Sequence, residues 1–286
     1  MVELILKKII VDMFKILNKE NLAKEITKLE VQAPQIAEKA KAGQFVKIIF
    51  GEKGETIPLT LADWNKSKGT ITLIFQKVGF TTKLLGSLNP GDNIAHILGP
   101  LGHPTEVKNF GEVYCVGGGV GIAELYPVSR AFKEAGNRVI GIIGSRSKDL
   151  IILEEQISKV TDELFITTDD GSYRRKGLVT DILKDLFNVI EKSTHTKYPG
   201  LVYAIGPVRM MKAVADFTRG YQVKTIVSVN PIMVDATGMC GACRCTVGGK
   251  TVFGCVDGPD FDAHALDFDG LEKRLNAFKQ QENLLK

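Results

Sequence analysis

Val113-Tyr114-Cys115-Val116-Gly117-Gly118-Gly119-Val120-Gly121 is the stretch that decides the fold. An apolar run ending in glycines, followed by helical periodicity through Glu134, reads as a buried strand turning directly into a helix. That sequence of elements opens a parallel sheet covered by helices. At such a turn the bare backbone lets a pyrophosphate approach the free N–H groups of the helix N-terminus. The fit to G-x-G-x-x-G is incomplete, because Ile122 occupies the place of the third glycine or alanine, so a glycine turn without a ligand is the competing reading. Cys115, on the strand, reads as a buried hydrophobe.

Outward toward the C-terminus, residues 140–144, 165–168 and 201–206 supply three more apolar strands, which makes the sheet parallel and places its ligands at the carboxyl ends of the strands. Asp169-Asp170-Gly171-Ser172 turns after the third strand. After the second strand comes Gly144-Ser145-Arg146-Ser147, with no acid for ribose hydroxyls and with an arginine that can accommodate a 2′-phosphate.

Beyond this sheet, Asn230-Pro231-Ile232-Met233-Val234-Asp235-Ala236-Thr237-Gly238-Met239-Cys240-Gly241-Ala242-Cys243-Arg244-Cys245 crowds three of the chain's five cysteines together, and Cys255 follows. Such crowding in a cysteine-poor chain is hard to explain by packing and reads as a metal loop. The plant-type two-iron spacing is C-x4-C-x2-C…C. Here it is met with Asp235 in the first place, then Cys240 and Cys243, then Cys255 beyond a Gly248-Gly249 hairpin turn. The expected site is a [2Fe-2S] cluster on Asp235, Cys240, Cys243 and Cys255. Cys245, two residues from Cys243, is an alternative to Asp235. A four-thiolate zinc site and disulfides are the competing chemistries. A helix is expected over residues 271–286.

Toward the N-terminus the pattern changes to short strands at residues 25–31, 44–50, 70–78 and 92–98, which suggests a small antiparallel barrel. Residues 1–17 are mixed, read as a first strand or a loosely held start. Ile57-Pro58-Leu59-Thr60 reads as a kinked backbone offering a hydroxyl. Gly79-Phe80-Thr81-Thr82 opens a helix whose N–H groups and hydroxyls suit a phosphate. A simple proline kink and an ordinary threonine cap are the plainer readings.

The 286 residues are enough for two cored domains. A net charge of +4 with 24% charged residues implies no nucleic-acid surface. No apolar run reaches membrane length and no secretory signal layout is present, so a cytoplasmic protein is expected. The expected division is a barrel over residues 1–105, an α/β domain over 106–225 and a cluster region with a C-terminal helix over 226–286.

That order, with I-P-L-T, G-x-T-T, G-G-G-V-G, D-D-G-S, I-G-P and D-x4-C-x2-C…C, resembles the ferredoxin-NADP reductase superfamily. Within it the chain is similar to the small subunits of NADH-dependent reduced ferredoxin:NADP oxidoreductases, also called sulfide dehydrogenase small subunits, and more distantly to dihydroorotate dehydrogenase B electron-transfer subunits. The resemblance runs from Met13 onward and leaves residues 1–12 outside. It implies FAD held by Ile57, Pro58, Leu59 and Thr60, with Thr60 beside flavin N5. Ile74, Phe75 and Gln76 would line the flavin, and Gly79, Thr81 and Thr82 would meet its pyrophosphate. It also implies NAD(H) at Gly117, Gly118, Gly119, Val120 and Gly121, with Gly206 and Pro207 opposite, and with Arg146 and Asp170 at the same end of the sheet. The resemblance favours NAD(H) where Arg146 favours a 2′-phosphate. An arginine common before the proline segment in the superfamily is absent, with Thr56 and Ile57 in its place, and Thr81 replaces a usual glycine. The resemblance further implies a heterodimer with a larger flavoprotein carrying FAD and [4Fe-4S] clusters, electron bifurcation, and ferredoxin reached through that partner. The four histidines receive no catalytic role.

Overall fold

The structure is a computed structural model and describes residues 14–50, 55–193 and 197–279. The segment 1–12 and the end of the expected C-terminal helix, residues 280–286, lie outside the described residues.

Alternation decides the first sheet. Ile71, Leu73 and Phe75 of β5 (Thr70–Gln76) turn inward and are buried, while Thr72 stays partly exposed on the other face. Around it lie β1 (Ile16–Ala23), β2 (Ile26–Gln32), β3 (Phe45–Ile49), β4 (Ile57–Asn65) and β6 (His96–Leu101). The six strands run antiparallel in the order β1-β2-β5-β4-β3-β6. The ends of this order meet through a Lys15–Asn93 bridge and the bonds from Ile16 N to Asp92 O (2.8 Å) and from Ile94 N to Phe14 O (3.0 Å). Leu29, Val46, Ile48 and Leu61 fill the enclosed core, which helix α1 (Pro34–Lys39) covers. The proline segment departs from the expected kink: Ile57 to Thr60 lie within β4, with Pro58 opposite Lys47, and the register shift comes later, between Leu61 and Asp63. Helix α2 (Phe80–Ser87) follows β5 as anticipated.

The second sheet holds β7 (Glu112–Gly118), β8 (Arg138–Ser145), β9 (Glu163–Thr168), β10 (Arg175–Lys176), β11 (Leu201–Ile205) and β12 (Thr225–Ser228), all parallel. Its order is β10-β9-β8-β7-β11-β12-β15, where β15 (Asp260–Asp262) is an antiparallel edge strand from the far end of the chain. Helices α3 (Ile122–Glu134) and α4 (Glu154–Val160) cover one face, with Leu125, Val128, Phe132 and Ile157 in a core that also takes Ile74 and Ala62 from the first sheet. Helices α5 (Val179–Glu191), α6 (Val208–Arg219) and α7 (Phe268–Leu275) cover the other. Each fully buried Phe or Leu here contributes on the order of 1.5–3 kcal/mol.

Residues 229–259 make a closed excursion between β12 and β15. Ser228 is the register partner of Asp260, and Val229 N bonds Pro259 O at 3.0 Å. The excursion contains the hairpin β13 (Arg244–Val247) and β14 (Lys250–Phe253), turned by Gly248 and Gly249 with φ of 57° and 76° as the sequence suggested. Helix α7 ends at Leu275, and the described residues beyond it form a turn with only Lys279 helical, so a continuous helix over residues 271–286 is not formed. Its inner residues Phe268 and Leu271 are used within this chain, and Arg274 Nη2 donates to Ala242 O at 2.9 Å.

Candidate functional site

Strand order reverses between β7 and β11, and a crevice at such a switch point is where a doubly wound sheet receives its ligand. Both glycine segments stand at its rim: Gly117 to Gly121 after β7, and Gly206-Pro207 after β11. Their glycines are not equivalent. A Cβ on Gly121 would stand 2.8 Å from Ile205 O and one on Gly206 would stand 2.9 Å from Gly118 O, so these positions are required by the approach of the two loops. A Cβ on Gly118 would meet Met210 Sδ at 2.4 Å and one on Gly117 would meet Leu125 at 2.9 Å. Gly119 alone, with φ of 57°, faces open space. The helix behind the loop therefore presents its N-terminus beside one free backbone position. Val120 lies exposed at the same turn. Across the sheet end, Asp169 N bonds Ser145 O and Asp170 N bonds Arg146 O, at 3.0 and 3.1 Å, which brings Arg146 and Asp170 together at the surface. Asp170 accepts from Ser172 N at 2.9 Å, and hydrogen bonding to Ser172 holds its carboxyl below the usual range.

On the first sheet, Ile57, Pro58, Leu59 and Thr60 are each half-buried, as is Gln76. Ile74 packs toward the second sheet, but alternation turns the Phe75 ring into the barrel core at 2% exposure, so only its backbone remains for a ligand. At the start of α2, Thr82 Oγ1 accepts from Val78 N and Gly79 N at 3.1 and 3.0 Å and caps the helix, while buried Thr81 accepts from Glu55 N at 2.9 Å. The Thr60 hydroxyl points to a residue that the sequence had not singled out: it donates to Glu124 Oε2 at 2.9 Å. Glu124 lies in the first turn of α3, is 6% exposed, and accepts on Oε1 from Ser228 Oγ at 2.6 Å. Burial pushes its carboxyl up to about 8, against the pull of these hydroxyls. Nearby, Asp260 accepts from Tyr203 (3.0 Å) and Thr105 (2.7 Å), and burial raises it to about 6. The lone signal for Glu124 was an acid between Ile122, Ala123 and Leu125, where the helix needs an apolar face. Ser228, Tyr203 and Thr105 gave no local signal, since only tertiary pairing brings them there.

In the excursion, Cys243 and Cys255 are buried with Sγ atoms 3.2 Å apart, and Cys255 N approaches Cys243 Sγ at 3.4 Å. Asp235 accepts from Thr237 N (2.8 Å) and Cys240 N (2.6 Å), and the bond from Thr237 leads in holding its carboxylate below the ordinary value. Cys240 is exposed, and Ala242 N is directed at its Sγ from 3.4 Å. Ala236, Gly238 and Gly241 take positive φ, which winds the backbone around this corner. Cys245 goes elsewhere: it joins the core beneath α6 and α7, and burial pushes its thiol up to about 11. All five cysteines are free thiols, and among the described residues no three His, Cys, Asp or Glu side chains converge on one point close enough for a single metal ion. The donors fit a larger cluster better: three thiols and a carboxylate line one loop, with backbone N–H groups aimed at two sulfurs.

The iron-sulfur cluster binding domain of dihydroorotate dehydrogenase B matches residues 230–267, the excursion and its edge strand. A Thermotoga maritima protein named dihydroorotate dehydrogenase B (NAD(+)), electron transfer subunit homolog, is 44% identical over 269 residues, covering 94% of this chain and 93% of the relative. The chain belongs to the family of dihydroorotate dehydrogenase B electron transfer subunits and their homologues. A chain from the structure of NADH-dependent reduced ferredoxin-NADP oxidoreductase, described in connection with flavin-based electron bifurcation, superposes with a TM-score of 0.89 at 43% identity, covering 96% of each chain. The fold is also that of a ferredoxin NADP+ reductase from Neisseria gonorrhoeae (TM-score 0.58, 17% identity, 73% of this chain and 90% of that one). Among the described residues no helix is long and apolar enough to cross a membrane.

Proposed function

We propose that this chain is the FAD and [2Fe-2S] electron-transfer subunit of an electron-bifurcating, NADH-dependent ferredoxin:NADP oxidoreductase. The observation that carries it is the end-to-end likeness to a chain of that enzyme, at 43% identity over 96% of both chains. The bound flavin supplies exchange of an electron pair with nicotinamide on one side and of single electrons with the iron centre on the other. The residues here do the binding and positioning. Gly119 leaves room for the nicotinamide dinucleotide at the N-terminus of α3, with Gly206 and Pro207 as the facing wall. Ile57 to Thr60 and Gln76 hold the flavin, with Thr60 Oγ at N5, and Gly79, Thr81 and Thr82 stand at its pyrophosphate. Asp235, Cys240, Cys243 and Cys255 hold the cluster. The inward turn of Cys245 supports Asp235 as the remaining ligand, and an oxygen ligand alters the cluster's potential. NAD(H) is the nucleotide of this subunit; Arg146 beside Asp170 is the feature that a comparison of NADH with NADPH affinity tests directly.

A cluster that takes one electron at a time needs somewhere to send it, and a larger flavoprotein with FAD and [4Fe-4S] clusters is the proposed partner. Anaerobic purification from the native source tests all of this: FAD, iron and acid-labile sulfide in the preparation, bleaching by NADH, and co-purification of such a flavoprotein are expected. A colourless, zinc-containing protein would overturn the proposal. Transfer of electrons to or from a dihydroorotate dehydrogenase is the second reading, favoured by the match over residues 230–267. Co-purification with a dihydroorotate-oxidising subunit would select it.

A further inference from the structure

Two cations reach the cysteine loop from outside it. Lys47 Nζ on β3 donates to Asp235 O at 2.8 Å, and Arg274 Nη2 in the last turn of α7 donates to Ala242 O at 2.9 Å. Both residues are half-buried, and the two carbonyls bracket the exposed thiol of Cys240 along the chain. Among the described residues neither cation makes an ion pair. The acids of α7 are engaged elsewhere, Asp269 with Lys212 and Glu272 with Arg209, and Asp257 of the excursion accepts from Phe253 N at 2.7 Å. A charge drawn out of water without a counter-charge is costly, so two such cations turned onto one loop call for a negative group inside it. Deprotonated thiols and a carboxylate around an iron centre are that group, and each electron the centre accepts adds to it.

We propose that Lys47 and Arg274, given the ligand set assigned above, form a cationic clamp that sets the electron affinity of the cluster by favouring its reduced form. Lys47 is the register partner of Pro58, so its backbone lies beside the flavin segment while its ammonium lies at the first ligand. Arg274 approaches from the opposite side, on a helix that covers the parallel sheet. The charge of Lys47 is felt at the Asp235 carboxylate, as that of Arg274 is at the Cys245 thiol.

The cations take no part in the transfer itself. One electron passes from flavin to iron, no bond forms or breaks, and the fixed positive charges make the electron's new place more favourable. Net charge and hydrogen bonding around a cluster are the protein's levers on its potential. Arg244 offers an internal contrast: its Nη1 also donates to a loop carbonyl, Gly241 O at 3.0 Å, but the residue is exposed and its charge is screened by water and salt.

Redox titration of the anaerobic holoprotein with its native partner, followed by the paramagnetic resonance signal of the reduced two-iron centre, tests the clamp. Lys47→Met and Arg274→Met should each lower the ratio of reduced to oxidised cluster at a given poise about tenfold, which is about 59 mV for one electron. The double variant should show about the product of the two effects, because the residues come from separate elements. Lys47→Arg and Arg274→Lys keep the charge and should stay within about threefold of wild type. Arg244→Met, at the exposed cation, should do the same. Midpoints are read on the iron-loaded fraction, so faster iron loss in a variant does not alter them. A wild type without the two-iron signal would sink the cluster assignment and the clamp together. Full iron with unmoved midpoints in both methionine variants would overturn the clamp alone. So would a midpoint in Lys47→Arg as low as in Lys47→Met, which would make the geometry of the hydrogen bond, and not the charge, responsible.

Discussion

Glu124 puts a carboxyl inside a core where Ile122, Ala123 and Leu125 are its helical neighbours, and its protonation is linked to stability. Its folded value of about 8 lies above the ordinary 4.5, so the folded state favours the protonated form. The stabilising contribution is complete below about pH 4.5 and is lost as pH rises through about 8. Thermal unfolding of wild type should therefore lose up to a few kcal/mol relative to Glu124→Gln between pH 5 and pH 9. Parallel pH profiles for the two proteins would show that the carboxyl does not titrate there. The cysteines give a second residue-scale test. Cys245→Ala should keep full iron and sulfide content and cost about 1 kcal/mol through lost packing, while Cys243→Ala should lose the cluster. Loss of iron in Cys245→Ala would move the ligand set onto that thiol. The spacing D-x4-C-x2-C was legible in the sequence, but the direction of Cys245 was not. An i+2 neighbour on an extended chain shares a face with Cys243 only if the strand is straight, and here the loop ends at Cys243 while β13 begins at Arg244.

Among the elements, the turn from β7 into α3 shows how one motif divides into fold and site. Gly121→Ala adds a methyl 2.8 Å from Ile205 O, with ordinary φ, so its cost is steric and falls on the packing of α3 against β11. Gly119→Ala meets nothing but must hold φ of 57°, which costs about 1–2 kcal/mol. The expected outcome is that Gly121→Ala unfolds at lower temperature or fails to accumulate, while Gly119→Ala folds and binds NADH more weakly, as titration calorimetry would read. Long apolar runs made β7, β8 and β11 legible, and alternation did the same for β5. The three-residue β15 was not, because Asp260-Phe261-Asp262 has no local strand signal and exists only by pairing with β12. The proline segment misled for the converse reason: Pro58 suggests a kink, yet it fits within β4 opposite Lys47.

At the scale of the molecule, the two sheets and the excursion are tied by a few polar contacts between distant parts of the chain. Lys47 Nζ on β3 donates to Asp235 O at 2.8 Å, Thr60 on β4 to Glu124 on α3, and Thr105 to Asp260. Lys47→Met removes the first of these, a hold on the backbone of Asp235, and leaves the side chains of the proposed cluster ligands unchanged. It should shift global stability by no more than about 1 kcal/mol and speed iron loss to a chelator several-fold, followed by visible absorbance. An unchanged rate of iron loss would show that Lys47 does not restrain the loop. The order of sheet, sheet and cysteine loop could be read along the sequence; the contacts joining them could not, since each pairs residues far apart in the chain.

The bond from Val229 N to Pro259 O, beside the Ser228–Asp260 pairing, fastens both ends of the cysteine-bearing detour at one edge of the parallel sheet. Its thirty-one residues leave and rejoin the parallel sheet at the same spot, with further ties through Cys245, Ala242 and Asp235. Removal of iron by a chelator should therefore leave the far-ultraviolet circular dichroism of the two sheets unchanged. Damage by oxygen should be repairable in place, with no need to make the protein anew.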